Sequence, residues 1–387
     1  MSSPFSSFSS NTKSKSPVVL VTYPDIFTLE EAKSLVDSAD RTIVGVFTQK
    51  YLNHSQYGMG SGKAEEIKEF AKQSKAEQIV VDDRLASRQI YNLEKLIGVP
   101  VIDRERLILD IFHSRATSTE AKLQIELAEI QYEMPRVREN AKLTSGGERP
   151  GKGGMGEYVV DVKFRDLKRR MSFIKEKLNN AQKKRELYHQ QRVKTRMPVV
   201  SLVGYTSSGK TTLFNLLTGE NKQTSSSLFT TLSTTTRLLK ISNKEILLTD
   251  TVGFISRLPT YMIDAFKSTL EESLAAEWIL LLIDASENIQ DIRIKYTACK
   301  QTLEELGADG SKIVIVFTKY DKLDSEKTMK QVAADLYIPN PIVISSRNGY
   351  GINKLKTMIS QQSCLVASEI LPRKEFQKTD KKLHPIS

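Results

Sequence analysis

The residues with the plainest chemistry lie in one run, Gly204-Tyr205-Thr206-Ser207-Ser208-Gly209-Lys210-Thr211. The apolar segment Val199 to Val203 leads into it and the helical pattern TLFNLLTG follows, which is the strand, loop and helix order of a P-loop. Glycines let backbone N–H groups turn onto phosphates, the helix presents its positive end, Lys210 reaches the β and γ oxygens, and the Thr211 hydroxyl suits Mg²⁺. A second run, Gly58-Met59-Gly60-Ser61-Gly62-Lys63-Ala64, imitates this pattern. Its glycines stand one residue too close, Ala64 offers no hydroxyl and no buried strand precedes it, so it reads as a loop and helix start.

Some 40 residues beyond the P-loop, the strand-like run Glu245 to Thr249 ends in Asp250-Thr251-Val252-Gly253. An acid at a strand end followed by a flexible glycine suits a γ-phosphate sensor, with Asp250 holding a Mg²⁺-bound water and the Gly253 N–H meeting the γ-phosphate. Base choice comes from Thr318-Lys319-Tyr320-Asp321, after the apolar run Ile313 to Phe317. Asp321 can accept from N1–H and the C2 amine of guanine, whereas adenine would leave the carboxylate unpaired. Thr318 stands where many G proteins have Asn, and its hydroxyl is expected to do the same supporting job. Ser345-Ser346-Arg347, after the last apolar strand, suits closure over guanine O6. Between the P-loop and Asp250 lies Leu228-Phe229-Thr230-Thr231-Leu232-Ser233-Thr234-Thr235-Thr236-Arg237. One threonine of this hydroxyl-rich loop is expected to meet Mg²⁺ when the γ-phosphate is present, while Thr234 to Thr236 also read as an edge strand. Phe254 follows Gly253 where many small GTPases carry Gln, and an apolar ring cannot orient water by hydrogen bonding.

Elements must hold these residues in place. From Val18 to about His113, apolar runs (VVLVTYP, IVGVFTQ, QIVVDD, VPVIDR) alternate with helical patterns near 29–38, 64–72 and 86–96, predicting a small, mostly parallel α/β domain. From Thr119 to Arg196 the chain turns charged and helical. Leu123, Leu127, Ile130 and Met134 recur until Pro135 interrupts, and Phe164, Leu167, Met171, Ile174, Leu178 and Ala181 then alternate steps of three and four, as in a coiled-coil seam. Two antiparallel helices joined near 140–157 are expected. α/β alternation resumes at Pro198, predicting a doubly wound, mostly parallel P-loop domain. The expected division is a disordered Ser-rich tail over 1–17, an α/β domain over 18–114, a basic helical hairpin over 115–197, the nucleotide domain over 198–362 and a polar basic tail over 363–387.

Composition narrows the classes. The chain has 387 residues, 39% of them hydrophobic, and no apolar run approaches the roughly 20 residues of a membrane helix. Cys299 and Cys364 have no paired spacing, so they read as reduced thiols of a cytoplasmic protein, taken as a monomer. The serines before Ser16 come without the arginines of a transit peptide. Between Asp161 and Arg196 there are 13 Lys or Arg against four Asp or Glu, so one helix holds most of the chain's net +11 charge. It reads either as a solvated face or, as we favour, as the seat of a polyanion such as RNA.

GYTSSGKTTLFNLLTG, LFTTLSTTTR and LLTDTVGFISRLP together resemble the HflX branch of translation-associated GTPases. The likeness extends to GSGKAEEIKEF, NLEKLIGVPVIDRERLILDIF and ATSTEAKLQIELAEIQYEMPR, and so covers nearly the whole chain from about residue 58. It implies an N-terminal α/β domain with a helical hairpin, a G domain that binds GTP or GDP, and association of the basic 161–196 helix with the large ribosomal subunit and its RNA, in ribosome splitting, rescue or biogenesis. On the same resemblance Thr231 is the second Mg²⁺ ligand beside Thr211, with Lys210, Thr231 and Gly253 as the catalytic set. Where many bacterial relatives carry a GPGE motif, this chain has GGERPGKGGMGEY, which reads either as an insertion into ribosomal RNA or as a linker. It ends soon after the G domain and looks like a short, archaeal-type architecture. The alternatives from other classes are a nucleotide-stabilised RNA-binding module and a GTPase acting on another RNA or an acidic protein.

Overall fold

The computed structural model describes residues 15–145, 154–195, 197–221, 228–229, 234–242, 244–274, 276–323, 326–338 and 341–369. The expected first tail lies outside these residues up to position 14, as do most of the hairpin loop and the end of the chain.

The valine-rich runs become the parallel strands β1 (Ser16–Thr22), β2 (Arg41–Thr48), β3 (Gln78–Val81) and β4 (Val101–Asp103), in the order β2-β1-β3-β4. β1 starts before Val18 because Ser16 and Pro17 already pair in register with Arg41 and Thr42. The crossovers are α1 (Ile26–Ser38), α2 (Ser61–Ser74) and α3 (Ser87–Ile97), with α4 (Arg104–Arg115) following β4 directly. Asp25 caps α1 through the Thr28 N–H, and Asp103 caps α4 through the Arg106 N–H. Ser61 opens α2, as the imitation phosphate loop was read, and a Cβ on Gly60 or Gly62 would meet nothing within 4 Å.

The charged middle region forms α5 (Thr119–Ser145) and α6 (Gly154–Thr195). Leu167, Ile174 and Leu178 of the predicted seam are buried, and Arg170 pairs with Glu126 at 2.6 Å, a match that fits helices running in opposite directions. One expectation fails here, because Pro135 does not interrupt α5. Proline inside a helix costs roughly 3 kcal/mol, and its neighbours offset that. The Tyr132 hydroxyl and the Arg136 guanidinium both bond to the buried Asp103 carboxylate, at 3.0 and 2.7 Å, and the guanidinium stacks 3.9 Å from the Tyr132 ring centroid.

The third region is the expected doubly wound sheet. Its strands β5 (Val199–Gly204), β6 (Thr235–Ile241), β7 (Lys244–Asp250), β8 (Trp278–Asp284), β9 (Ile313–Thr318) and β10 (Ile342–Val343) take the order β10-β9-β8-β5-β7-β6, all parallel except the edge strand β6. Thr235 and Thr236 belong to that edge strand, and the Thr236 hydroxyl meets that of Thr249 at 2.9 Å. Helices α7 (Lys210–Thr218), α8 (Thr260–Leu274), α9 (Ile289–Glu305), α10 (Glu326–Asp335) and α11 (Ile352–Glu369) flank it. The hydrophobic core is continuous across the regions: the Phe112 ring of α4 lies edge-on to Phe229 and Phe266, at 4.7 and 5.1 Å between centroids. No helix among the described residues is long and apolar enough to cross a membrane.

Candidate functional site

β5 delivers the chain to Gly204, where only a bare Cα fits: a Cβ would stand 2.4 Å from the Leu282 carbonyl oxygen and 2.9 Å from Ser208 Oγ. Ser207 and Gly209 take positive φ, +61° and +93°, and so turn the loop onto the N-terminus of α7. Lys210 opens that helix and is 7% exposed. Its ammonium donates to the carbonyls of Gly204 at 3.0 Å and Tyr205 at 2.7 Å. Burial lowers its pKa to about 8, with the nearby Asp250 charge opposing the shift. This lysine turns inward onto its own loop, an arrangement that phosphate oxygens would redirect.

The second element, β7, ends at Asp250, which is fully buried, and the Thr211 hydroxyl donates to its carboxylate at 3.1 Å. A hydroxyl and a carboxylate converging beside a helix N-terminus are hard oxygen donors, the set a small divalent cation prefers. Thr251 is buried with its hydroxyl on the Leu202 carbonyl at 2.8 Å, and Val252 is buried beside it. Gly253 lies hard against the P-loop: a Cβ there would be 2.9 Å from the Thr206 methyl and 3.1 Å from the Lys210 ammonium. Phe254 is 3% exposed, and its backbone forms a short parallel bridge with the loop, donating to Gly204 O at 3.1 Å and accepting from Thr206 N at 2.8 Å.

The residues expected to read guanine assemble at the ends of β9 and β10. Thr318 is buried and its hydroxyl donates to the Ser208 carbonyl at 2.8 Å, tying the Thr318–Asp321 loop to the P-loop. Lys319 adopts φ +58° and pairs with Asp284 at 2.5 Å. Asp321 is exposed, and the Ser345 hydroxyl, donating to it at 2.5 Å, holds its carboxyl below the ordinary range. Ser345 Oγ also accepts from the Arg347 N–H at 3.2 Å, while Ser346 is half-buried and Arg347 exposed in the same turn. Tyr320 stacks on Tyr350 with 4.5 Å between centroids.

The structure thus gathers the P-loop, Asp250 to Gly253, Thr318 to Asp321 and Ser345 to Arg347 at one end of the sheet. Of the hydroxyl-rich loop, Phe229 is buried against Phe112, and the Leu228 N–H donates to Ser38 Oγ at 2.8 Å. Thr230, Thr231, Leu232 and Ser233 lie outside the described residues.

Sequence reasoning missed a buried cluster joining this site to the first sheet. Tyr205 points away from the nucleotide loop, and its hydroxyl bonds to Glu31 of α1 and accepts from the Ser256 N–H at 2.6 Å. Glu31 also accepts from the Ser256 hydroxyl and from Arg104 at 2.6 Å, and Arg104 bonds to Asp82 at 2.5 Å. Burial alone would push the Glu31 carboxyl up, but Arg104 and the hydroxyls outweigh it and hold it below its ordinary value. Nothing local in the sequence marks these partners, which are up to 225 residues apart.

Comparison with known proteins agrees with this anatomy. Residues 27–113 match a family model described as GTP-binding GTPase N-terminal, 115–192 one described as GTP-binding GTPase middle region, and 199–319 one described as 50S ribosome-binding GTPase. The chain is 43% identical over 305 residues to a GTPase HflX of Methanocaldococcus jannaschii, covering 79% of this chain and 75% of that one. It is 37% identical to a GTPase HflX of Escherichia coli, covering 87% and 79%. Among solved structures, the SsGBP and GDP complex matches with a TM-score of 0.52 and 25% identity, over 91% of this chain and 99% of that one.

Proposed function

The chain belongs to the HflX family of GTPases and binds and hydrolyses GTP, and from that premise we propose that it is a cytoplasmic, Mg²⁺-dependent switch acting on the large ribosomal subunit in splitting, rescue or biogenesis. The ribosome is selected by the match of residues 199–319 to a family described as 50S ribosome-binding GTPase, and the observation that supports an RNA partner is the surface of α6. Lys163, Arg165, Lys168, Arg169, Lys175 and Lys177 are exposed along it while its apolar seam is buried on α5. A rigid basic rod on a nucleotide switch suits structured RNA, whose phosphates release counterions on contact. We read the chain as three working units over 18–114, 115–197 and 198–362.

In hydrolysis, the backbone N–H groups of Ser207 to Lys210 hold the phosphates, and Lys210 leaves the Gly204 and Tyr205 carbonyls for the β and γ oxygens. Thr211 and Thr231 are the residues that would hold Mg²⁺, with Asp250 on one of its waters, and the ion would supply charge neutralisation to those oxygens. Gly253 offers its N–H to the γ-phosphate, and Asp321 reads the guanine edge. Phe254 cannot orient the attacking water, so the basal rate is slow and the polar group comes from the ribosome or from a rearranged switch loop. The test is the GTP hydrolysis rate with and without isolated large ribosomal subunits, using Lys210→Ala as blank. A large subunit-dependent rise supports the proposal, and an unchanged rate still above the blank removes the ribosome as trigger.

A further inference from the structure

The cluster around Arg104 lies where an open parallel sheet takes its ligand. The chain leaves β1 toward β2 on one side, and β3 toward β4 on the other, so the crevice at the carboxyl ends of β1 and β3 is a topological switch point. Its walls are Tyr23, after β1, and Asp82, after β3. The occupant is the chain's own segment after the γ-phosphate sensor. Arg257, at φ +50°, donates to the Asp82 carboxylate at 2.7 Å and to the Asp82 carbonyl at 3.1 Å, with its guanidinium 5.4 Å from the Tyr23 ring centroid. Ser256 gives its N–H and hydroxyl to the Tyr205–Glu31 pair, and its carbonyl accepts from Arg104 at 3.0 Å. Asp82 and Arg104 are 2% and 3% exposed, so the floor of the crevice is covered.

The docked segment has a consequence at the phosphate site. Through the Phe254 bridge to Gly204 and Thr206, Gly253 is held where not even a Cβ would fit beside Thr206 and the Lys210 ammonium, and that ammonium bonds to loop carbonyls. Seating a γ-phosphate requires its oxygens between Lys210 and the Gly253 N–H, where even a Cβ on Gly253 would stand only 3.1 Å from the ammonium. Drawing Gly253 into that bond pulls on Ser256 and Arg257, three and four residues on. We propose that Glu31 and Asp82 of the N-terminal domain are specificity-determining positioning residues, which hold Ser256 and Arg257 in the crevice and thereby favour GDP over GTP in the G domain. The two ends of the lever are reciprocal: whatever loosens the crevice raises GTP affinity relative to GDP, and a bound γ-phosphate loosens the crevice. The proposal rests on nucleotide binding by the G domain and is independent of the ribosomal partner.

The test compares dissociation constants for GDP and for a non-hydrolysable GTP analogue, in the full chain, for wild type, Arg257→Ala, Glu31→Gln and Asp82→Asn. The expected result is a fall of roughly tenfold in the analogue-to-GDP ratio of dissociation constants, within the usual range of coupling between sites. Arg257 has a side chain 36% exposed, so its variant stays folded even where a buried carboxylate change does not. A purely structural role would weaken both nucleotides together. A ratio unchanged in Arg257→Ala, or moving toward GDP, overturns the proposal. Amide hydrogen exchange gives the second readout: residues 254–257 exchange faster with the analogue than with GDP, and equal protection in the two complexes also overturns it.

Discussion

Replacing Arg104 by Ala removes the cation that joins Glu31 to Asp82. In the folded chain the three side chains are 3%, 6% and 2% exposed, and the two ion-pair contacts are 2.6 and 2.5 Å. Water cannot take over the guanidinium's role at that burial, and Glu31 is left as an uncompensated charge. Breaking a buried pair from one side costs about 3–5 kcal/mol, against total stabilities of about 5–15 kcal/mol. The loss falls on the seam between the domains. Trp278 is the single tryptophan and lies in β8, so its fluorescence follows the G domain, whereas far-ultraviolet circular dichroism follows every helix. In wild type the two urea transitions coincide. In Arg104→Ala the midpoint falls by more than about 1 M, given slopes of about 1–3 kcal/mol per M, and the two transitions separate. Acidity adds a signed check. The wild-type Glu31 carboxyl sits below its ordinary 4.5, so its contribution is complete above that value and is lost as pH falls through it and below. Without Arg104, burial is opposed only by the Ser256 and Tyr205 hydrogen bonds, so the carboxyl rises from its wild-type position and the variant loses less stability than wild type as the solution is acidified. A midpoint shift equivalent to less than about 1 kcal/mol, with coincident transitions, would mean that these carboxylates are solvated and the reasoning fails.

Three further changes probe the nucleotide site itself. Gly204→Ala drives a methyl to 2.4 Å from the Leu282 carbonyl oxygen and should cost about 1–3 kcal/mol, seen as a lower Tm and weaker GDP binding; wild-type values for both would show that the loop yields. Asp321→Asn removes a charged acceptor from the guanine edge and should weaken GTP by about 1.5–3 kcal/mol, and less so xanthosine triphosphate, whose C2 oxygen accepts from the new amide; equal losses for the two triphosphates would place Asp321 off the base. Phe254→Gln restores a hydrogen-bonding group beside Gly253 and should raise basal hydrolysis by up to roughly a hundredfold; if neither the basal nor the subunit-stimulated rate moves, the apolar ring is not what limits turnover.

The sequence was legible where each requirement is met within one turn of chain. The P-loop, the acid ending β7 and the Thr318–Asp321 loop all follow an apolar strand at short range, and their chemistry needs neighbours that the next few residues supply. Thr318 could be read as a stand-in for Asn because one hydroxyl suffices for its bond to Ser208 O. The α6 seam was legible because helical spacing puts Leu167, Ile174 and Leu178 on one stripe. Pro135 was misread because the local rule for proline is a cost, and the compensation comes from Asp103, which is 32 residues earlier and reached only through Tyr132 and Arg136. Tyr205 was read as one more P-loop position, yet its hydroxyl serves a carboxylate 174 residues away.

These differences separate the two specificities of a GTPase by where each is built. The residues proposed to read guanine lie at β9, β10 and the turns after them, and Asp321, Ser345 and Thr318 bond to one another or to the P-loop without help from the first 197 residues. An isolated G domain should therefore still choose guanine. The γ-phosphate side is different in construction, because Gly253 and Phe254 are positioned by a segment whose anchors, Glu31, Asp82 and Arg104, all belong to the first domain. On the proposal made above, the number of phosphates would be sensed by the whole chain and the base by one domain. That division also gives the N-terminal sheet a reason to be a parallel α/β fold whose crevice holds a peptide segment: an acidic crevice at a switch point suits an arginine as well as it would suit a small cationic ligand.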